Sequence, residues 1–122
     1  MGISYILVNQ TKKEKIDFTH LPVSTLKEIA GNPASSAIVA WYLANNQGDD
    51  IQFVSGTYDD WPFKSGKRND DLNYPDKTEE LIATLIDEGI LKDVGIRYKD
   101  EDDPENIYIR EIINVWLDDN ET

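Results

Sequence analysis

The chain has 122 residues, 39% of them hydrophobic and 30% charged, which predicts a single folded domain over residues 1–117. It has no cysteine, which excludes disulfides and thiol catalysis, and one histidine, which excludes catalytic triads and two-histidine metal sites. Its formal net charge of −12 disfavours nucleic acid and anionic membranes as partners and favours a basic protein.

The negative charge belongs to the C-terminal half. Residues 1–48 carry four bases and three acids, whereas residues 49–122 carry eight bases and 21 acids. Such a surface either attracts a basic partner or keeps the protein in solution. The longest apolar run, 37–44, is too short to cross a membrane, and the first residues lack the pattern of a secretion signal. We therefore expect a cytoplasmic protein.

The first predicted elements are two strands, Tyr5–Asn9 and Ile16–Thr19, joined as a hairpin by polar residues. Because side chains alternate along a strand, Ile16, Phe18 and His20 should share the apolar face. We expect His20 to be a hydrogen-bonded structural histidine, and an acid/base role for it is the alternative.

Two helices should follow. Thr25 and Glu28 form a capping-box pattern for a short helix that ends at Gly31. Asn32 and Pro33 then supply the cap and first residue of a second helix, which runs to about residue 46. Its stretch 37–44 is apolar nearly all round, which predicts burial on most faces.

After a strand over 51–54, residues 57–77 show no regular period and predict a long loop. The loop begins with two carboxylates among aromatic side chains: Tyr58, Asp59, Asp60, Trp61 and Phe63. Aromatic and acidic groups together suit the groove of a cationic partner, so we expect a contact surface. Alternatively, Trp61 and Phe63 form a small satellite core while Asp59 and Asp60 cap the backbone, or one of these carboxylates serves an enzyme.

The C-terminal part should comprise a helix that begins near Asp76 or Thr78 and ends at Gly89, a strand over 90–98 and a strand over 107–117. Gly95 should interrupt the first of these strands. A β-bulge near Arg110 would turn Glu111 outward and bring Ile112 inward. Residues 118–122 should form a frayed acidic tail.

Between these strands lies an acidic loop with Asp100, Glu101, Asp102 and Asp103. It lacks the ligand spacing and central glycine of a calcium loop. It is therefore either a solvated hairpin turn or a surface complementary to a basic partner, and we expect neither a metal nor a cofactor.

The predicted order, β-β-α-α-β-α-β-β, favours the α+β class with a mainly antiparallel sheet. Residues 78–111 resemble the helix and wing of a winged-helix domain, but their acidic wing would face phosphate. In size, acidity and lack of catalytic groups the chain resembles the small immunity proteins with which bacteria block toxins. That resemblance implies partner contacts by Asp59, Asp60 and Trp61.

The function expected from these observations is non-enzymatic binding of a basic protein, by residues 58–63 and the acidic C-terminal half. Two alternatives stay open. One is a small carboxylate-dependent enzyme that uses Asp59 or Asp60 as acid or base. The other is a structural or adaptor subunit that associates through an exposed apolar strand within 107–117.

Overall fold

The structure is a computed structural model and describes residues 3–55 and 61–118. The order of its main elements is β-β-α-α-β-α-β-β, which confirms the predicted α+β class. The elements are β1 (Tyr5–Asn9), β2 (Glu14–Ile16), α1 (Leu26–Gly31), α2 (Pro33–Asn45), β3 (Ile51–Ser55), a 3-10 turn (Asp70–Asn73), α3 (Thr78–Asp87), β4 (Leu91–Lys99), β5 (Tyr108–Asn114) and α4 (Val115–Asp118).

The strands form two antiparallel sheets, one in the order β2-β1-β3 and the other a β4-β5 hairpin. In the first sheet Leu7 of β1 lies opposite Ile16 on one side and Phe53 on the other. Residues 75–77 run beside β2, where the Lys15 amide donates to the Pro75 oxygen (3.0 Å). The end of the long loop is thereby held against the sheet.

The helix caps are those that the sequence predicts. Thr25 and Glu28 form both hydrogen bonds of the capping box at α1. At α2 the Asn32 side chain accepts from the amides of Ala34 (2.9 Å) and Ser35 (3.1 Å). Both signals depend only on neighbouring residues, which is why they can be recognised in sequence.

Helix α2 is covered by the main core over much of its surface, as predicted, but not at every apolar position. Ser35, Ile38 and Tyr42 are buried, whereas Ala40 and Leu43 are exposed. Ala37, Val39 and Trp41 are partly buried against the main core, so the covered side chains occupy more of the helix than a single row of positions three to four residues apart. The buried residues of the core also come from α1, α3, every strand except β3 and the segment after β2: Leu7, Ile16, Phe18, Leu21, Ile29, Ala34, Ile82, Leu85, Leu91 and Ile112.

Strand β2 ends at Ile16, three residues before the predicted end. Phe18 and His20 have positive φ angles, 56° and 67°, which no strand tolerates. The amides of residues 17 and 18 donate to side chains at the start of α3, those of Asp76 (3.1 Å) and of the first helical residue, Thr78 (3.0 Å), instead of to a strand. Phe18 is nevertheless buried, so its predicted inward direction is right although its predicted conformation is wrong.

The last strand is also shorter than predicted, because the chain turns into α4 after Asn114. The Asn114 side chain accepts a hydrogen bond from the Trp116 amide (3.0 Å) and so caps this helical turn. Ile112 is buried and the Glu111 side chain is partly exposed, as predicted. The predicted bulge near Arg110 is wrong, because the register shifts lie on β4, between residues 93 and 95 and between 96 and 98. Strand β5 is regular, and Glu111 faces outward by simple alternation with buried Ile112.

Candidate functional site

The β4-β5 hairpin is the most exposed regular part of the described chain. Every residue of β4 after Leu91 is exposed. One edge of β4 pairs with β5, and within the described residues no further strand joins this sheet. The outer edge of β4 is therefore an open sheet edge, where backbone groups are free to pair with another strand.

The base of the hairpin is firmly attached to the rest of the fold. Leu91 and Ile112 belong to the main core. The Arg110 amide donates to the main-chain oxygen of His20 (2.8 Å), and its guanidinium donates to Asp93 (2.7 Å) and to Glu79 of α3. The hairpin is therefore held in a fixed direction relative to α3 and to the segment after β2.

Four large apolar side chains on this hairpin lie about half in solvent: Val94, Ile96, Tyr98 and Ile107. A single exposed apolar residue is ordinary on a protein surface. Ile96 pairs with Arg110 and Tyr98 with Ile109, which are consecutive residues of β5, so these apolar side chains are divided between the two faces of the hairpin, and an interface that buries them would have to enclose it.

The acidic loop at the end of the hairpin contains two kinds of carboxylate. Asp100 accepts from the amide of Asp102 (2.7 Å), and Asp103 accepts from the Asn106 side chain (3.1 Å), so both shape the turn. The carboxylates of Glu101 and Asp102 form no ion pair or hydrogen bond with another described residue. These two side chains are exposed, and no described residue compensates their charge.

The long loop contains the predicted aromatic residues in a small second core. Phe63 is buried with Val8 and Val54. Trp61 is partly buried beside it, with ring centroids 5.0 Å apart, and its indole donates to the Ser65 oxygen (2.8 Å). These contacts favour the satellite-core interpretation of Trp61 and Phe63.

The other three residues of that predicted contact surface, Tyr58, Asp59 and Asp60, lie outside the described residues. Their proposed roles in binding, backbone capping or catalysis stay predictions. The part of the predicted site that the structure describes is thus divided between two places, the satellite core and the hairpin loop.

His20 has the structural role expected of it. Its ring stacks on Tyr108 of β5, with centroids 3.7 Å apart and planes 12° apart. Its Nδ1 lies 3.0 Å from the main-chain oxygen of Tyr108, which can only accept, so this nitrogen donates. The imidazole therefore joins the segment after β2 to the hairpin.

Within residues 3–55 and 61–118, no three acidic or histidine side chains converge in a way that could hold a metal ion. In the same part of the chain, no helix is both long and apolar enough to traverse a bilayer.

Sequence reasoning missed the exposed apolar side chains of β4, which it treated only as part of a strand. A signal was present: Lys92, Asp93 and Arg97 place charged groups at both even and odd positions. Because successive side chains point to opposite faces, charges at both parities indicate a strand that is exposed on both faces.

Compared with protein-family models, with curated proteins and with solved structures, the chain matches none.

Proposed function

We propose that the protein is a non-enzymatic binding protein whose β4-β5 hairpin engages a basic protein. The observation that carries the proposal is the combination on one anchored hairpin of half-exposed apolar side chains with unpaired carboxylates. Over residues 91–114 the chain has seven acids and four bases, so the net field of the hairpin is negative.

The apolar side chains and the carboxylates would contribute differently to a complex. Burial of Val94, Ile96 and Tyr98 would supply most of the affinity, because apolar area removed from water is the main favourable term in association. The charges of Glu101 and Asp102 would attract a basic surface and orient it before contact. Since the hairpin is anchored at its base, little conformational entropy would be lost on binding.

Inhibition of a basic protein, as immunity proteins do, is the form of binding that we propose. An acidic surface that projects from a fixed base is suited to fill a cationic cleft. We also propose a cytoplasmic location, which the absence of cysteine supports without requiring it.

An adaptor that adds a strand to the sheet is the second candidate, and the open edge of β4 favours it. Two features of β4 work against strand addition. Its register shifts twice, between 93 and 95 and between 96 and 98, and Lys92 and Lys99 lie near its ends. Bulges and lysines are the devices by which proteins prevent pairing at a sheet edge. We therefore favour contact through side chains.

Photo-crosslinking in cells identifies the partner and tests the surface together. A benzophenone amino acid would replace Ile96 on the hairpin or, as control, Leu43 on α2, which has a similar exposure. The proposal predicts that position 96 captures a protein of net positive charge and that position 43 does not. Capture of an acidic protein at 96, or of the same protein from both positions, would contradict it.

A further inference from the structure

A cleft of about 220 Å³ lies between the first sheet and the 3-10 turn, away from the hairpin loop. Its walls are largely apolar, and Tyr5, Ile6, Val54 and Leu72 contribute to them. Three charged residues line the same cleft, the acids Asp17 and Asp71 and one base, Lys15, so the acids outnumber the base. Pockets for drug-sized ligands begin at about 300 Å³, so this one has room for a single side chain or a small molecule.

Asp71 is buried without a partner for its charge. The residue is 8% exposed, and its carboxylate forms no hydrogen bond or ion pair with another described residue. Every described polar side-chain atom that is sealed from solvent has a hydrogen-bond partner. The Asp71 carboxylate has none among the described residues, so it is not sealed, and the cleft that it lines gives access to it. A carboxylate on a largely buried residue, open only towards a cleft and without a bonded partner, is stabilised by a cation that enters that cleft.

The surroundings of Asp17 also favour the binding of a cation. Burial raises the pKa of the Asp17 carboxyl, Lys15 opposes that rise, and the charges of Asp76 and Asp71 add to it. The Lys15 ammonium lies 3.6 Å from Asp17, and Arg68 reaches the rim through a hydrogen bond to the Ser55 oxygen (3.5 Å). Neither of these bonds involves the carboxylate of Asp71.

We propose that this cleft binds one organic cation, an ammonium or guanidinium group on an aliphatic stem, with Asp71 and Asp17 as its anionic partners. The apolar walls would hold the stem while the charged end meets the carboxylates, which is how lysine and arginine side chains are generally accommodated. A metal ion is less well served, because no three ligating side chains of the described residues converge there. The source of the cation is a residue of a protein or a free amine.

An NMR titration of the full chain with n-butylguanidinium tests the site, with n-butylurea as its neutral isostere. Saturable shifts of the amides around Asp17, Asp71 and Leu72, seen with the cation and not with the urea, are the expected result. Asp71→Asn should weaken binding about tenfold, since it removes a charge-assisted hydrogen bond. Asp87→Asn, which removes an equal charge from the exposed end of α3, should leave binding unchanged.

Equal shifts with the urea, shifts centred on residues 100–106, or unchanged affinity in Asp71→Asn would overturn the proposal. Asp17→Asn provides a second test if Asp71→Asn does not fold, and it should also weaken binding. Blocked arginine and putrescine distinguish the two sources: binding of the first indicates a polypeptide side chain, and binding of the second alone indicates a free amine. The proposal does not depend on the hairpin, because no partner protein enters this titration.

Discussion

Arg110 of β5 and Glu79 of α3 are joined by an ion pair that fixes the hairpin to the body of the protein. The same guanidinium bonds Asp93 of β4 at 2.7 Å, so one side chain connects three elements. The Arg110 side chain is only 14% exposed, whereas its two partners lie more in solvent. The direction in which the hairpin projects depends on this arginine.

Replacement of Arg110 by glutamine should loosen the hairpin. We expect a loss of about 1 kcal/mol, reduced from the value of a buried pair because both acids are partly exposed, and faster hydrogen exchange along β4. Arg97→Gln is the matched control, since Arg97 is exposed and lies 4.0 Å from Glu111. Equal effects of the two variants would show that Arg110 is not the anchor.

Acid should weaken the same attachment. The hydrogen bond from Arg110 lowers the pKa of Asp93, and the Gly95 amide adds to this effect. A carboxyl whose pKa is lowered on folding contributes stability above its unfolded value, about 3.9, and loses it as the pH falls through the folded value. The protection of β4 amides against hydrogen exchange, corrected for the intrinsic pH dependence of exchange, should therefore fall below about pH 4 in the wild type and change less in Asp93→Asn.

Asp76 should be the main stabiliser of the start of α3. Its Oδ1 accepts from the amide (3.0 Å) and hydroxyl (2.6 Å) of Thr78, and its Oδ2 accepts from the Thr19 hydroxyl (2.7 Å). Burial opposes its ionisation, but these hydrogen bonds outweigh burial and lower its pKa. Asp76→Ala should cost about 2 kcal/mol in urea unfolding at pH 7. The difference in unfolding free energy between the wild type and Asp76→Ala should shrink as the pH falls below about 4. A loss that is constant with pH would contradict the assignment.

Tyr42 connects α2 to the first hairpin through its hydroxyl, which accepts from Asn9 (2.9 Å) and donates to Glu14 (2.5 Å). Burial and the Glu14 hydrogen bond raise the pKa of this phenol, so it stays protonated well above neutral pH. Tyr42→Phe should cost about 1–2 kcal/mol, because buried Asn9 loses one acceptor. Tyr98→Phe, on an exposed side chain, should cost less than about 0.5 kcal/mol. Similar losses in the two variants would argue against the network.

Asp17 should destabilise the fold at neutral pH. Burial raises its pKa above the unfolded value, so stability is complete below about pH 3.9 and falls as the pH rises through the folded value. Asp17→Asn removes this loss and should raise the Tm at pH 7 but not at pH 3. A lower Tm at pH 7 would mean that the ion pair with Lys15 outweighs burial.

The features that sequence predicts well here are local ones. The capping box of Thr25 and Glu28, the Asn32 cap and the helix end at Gly89 each depend on residues a few positions apart. The outward turn of Glu111 is also predictable, because a carboxylate avoids the core unless it is paired. In each case short-range chemistry leaves few alternatives.

The features that sequence misses depend on distant residues. Strand β2 ends early because the side chains of Asp76 and Thr78, where the long loop meets α3, accept hydrogen bonds from the amides of the next two residues, 17 and 18. The cleft is lined by both Asp17 and Asp71, which are 54 positions apart in the chain. The residues next to either one in sequence do not predict that the two line the same cleft. Such pairs arise from topology, which the local pattern does not contain.

The most direct test of the proposed function is the affinity of the crosslinked partner for two charge-matched variants. Glu101→Gln, Asp102→Asn and Glu105→Gln together remove three charges from the hairpin loop, and Asp50→Asn, Asp87→Asn and Glu88→Gln remove three exposed charges elsewhere. At low salt the loop variant should bind about tenfold more weakly and lose most of its dependence on salt, while the control stays within about twofold of the wild type. Equal loss in both variants, or no loss in the loop variant, would contradict a specific hairpin interface.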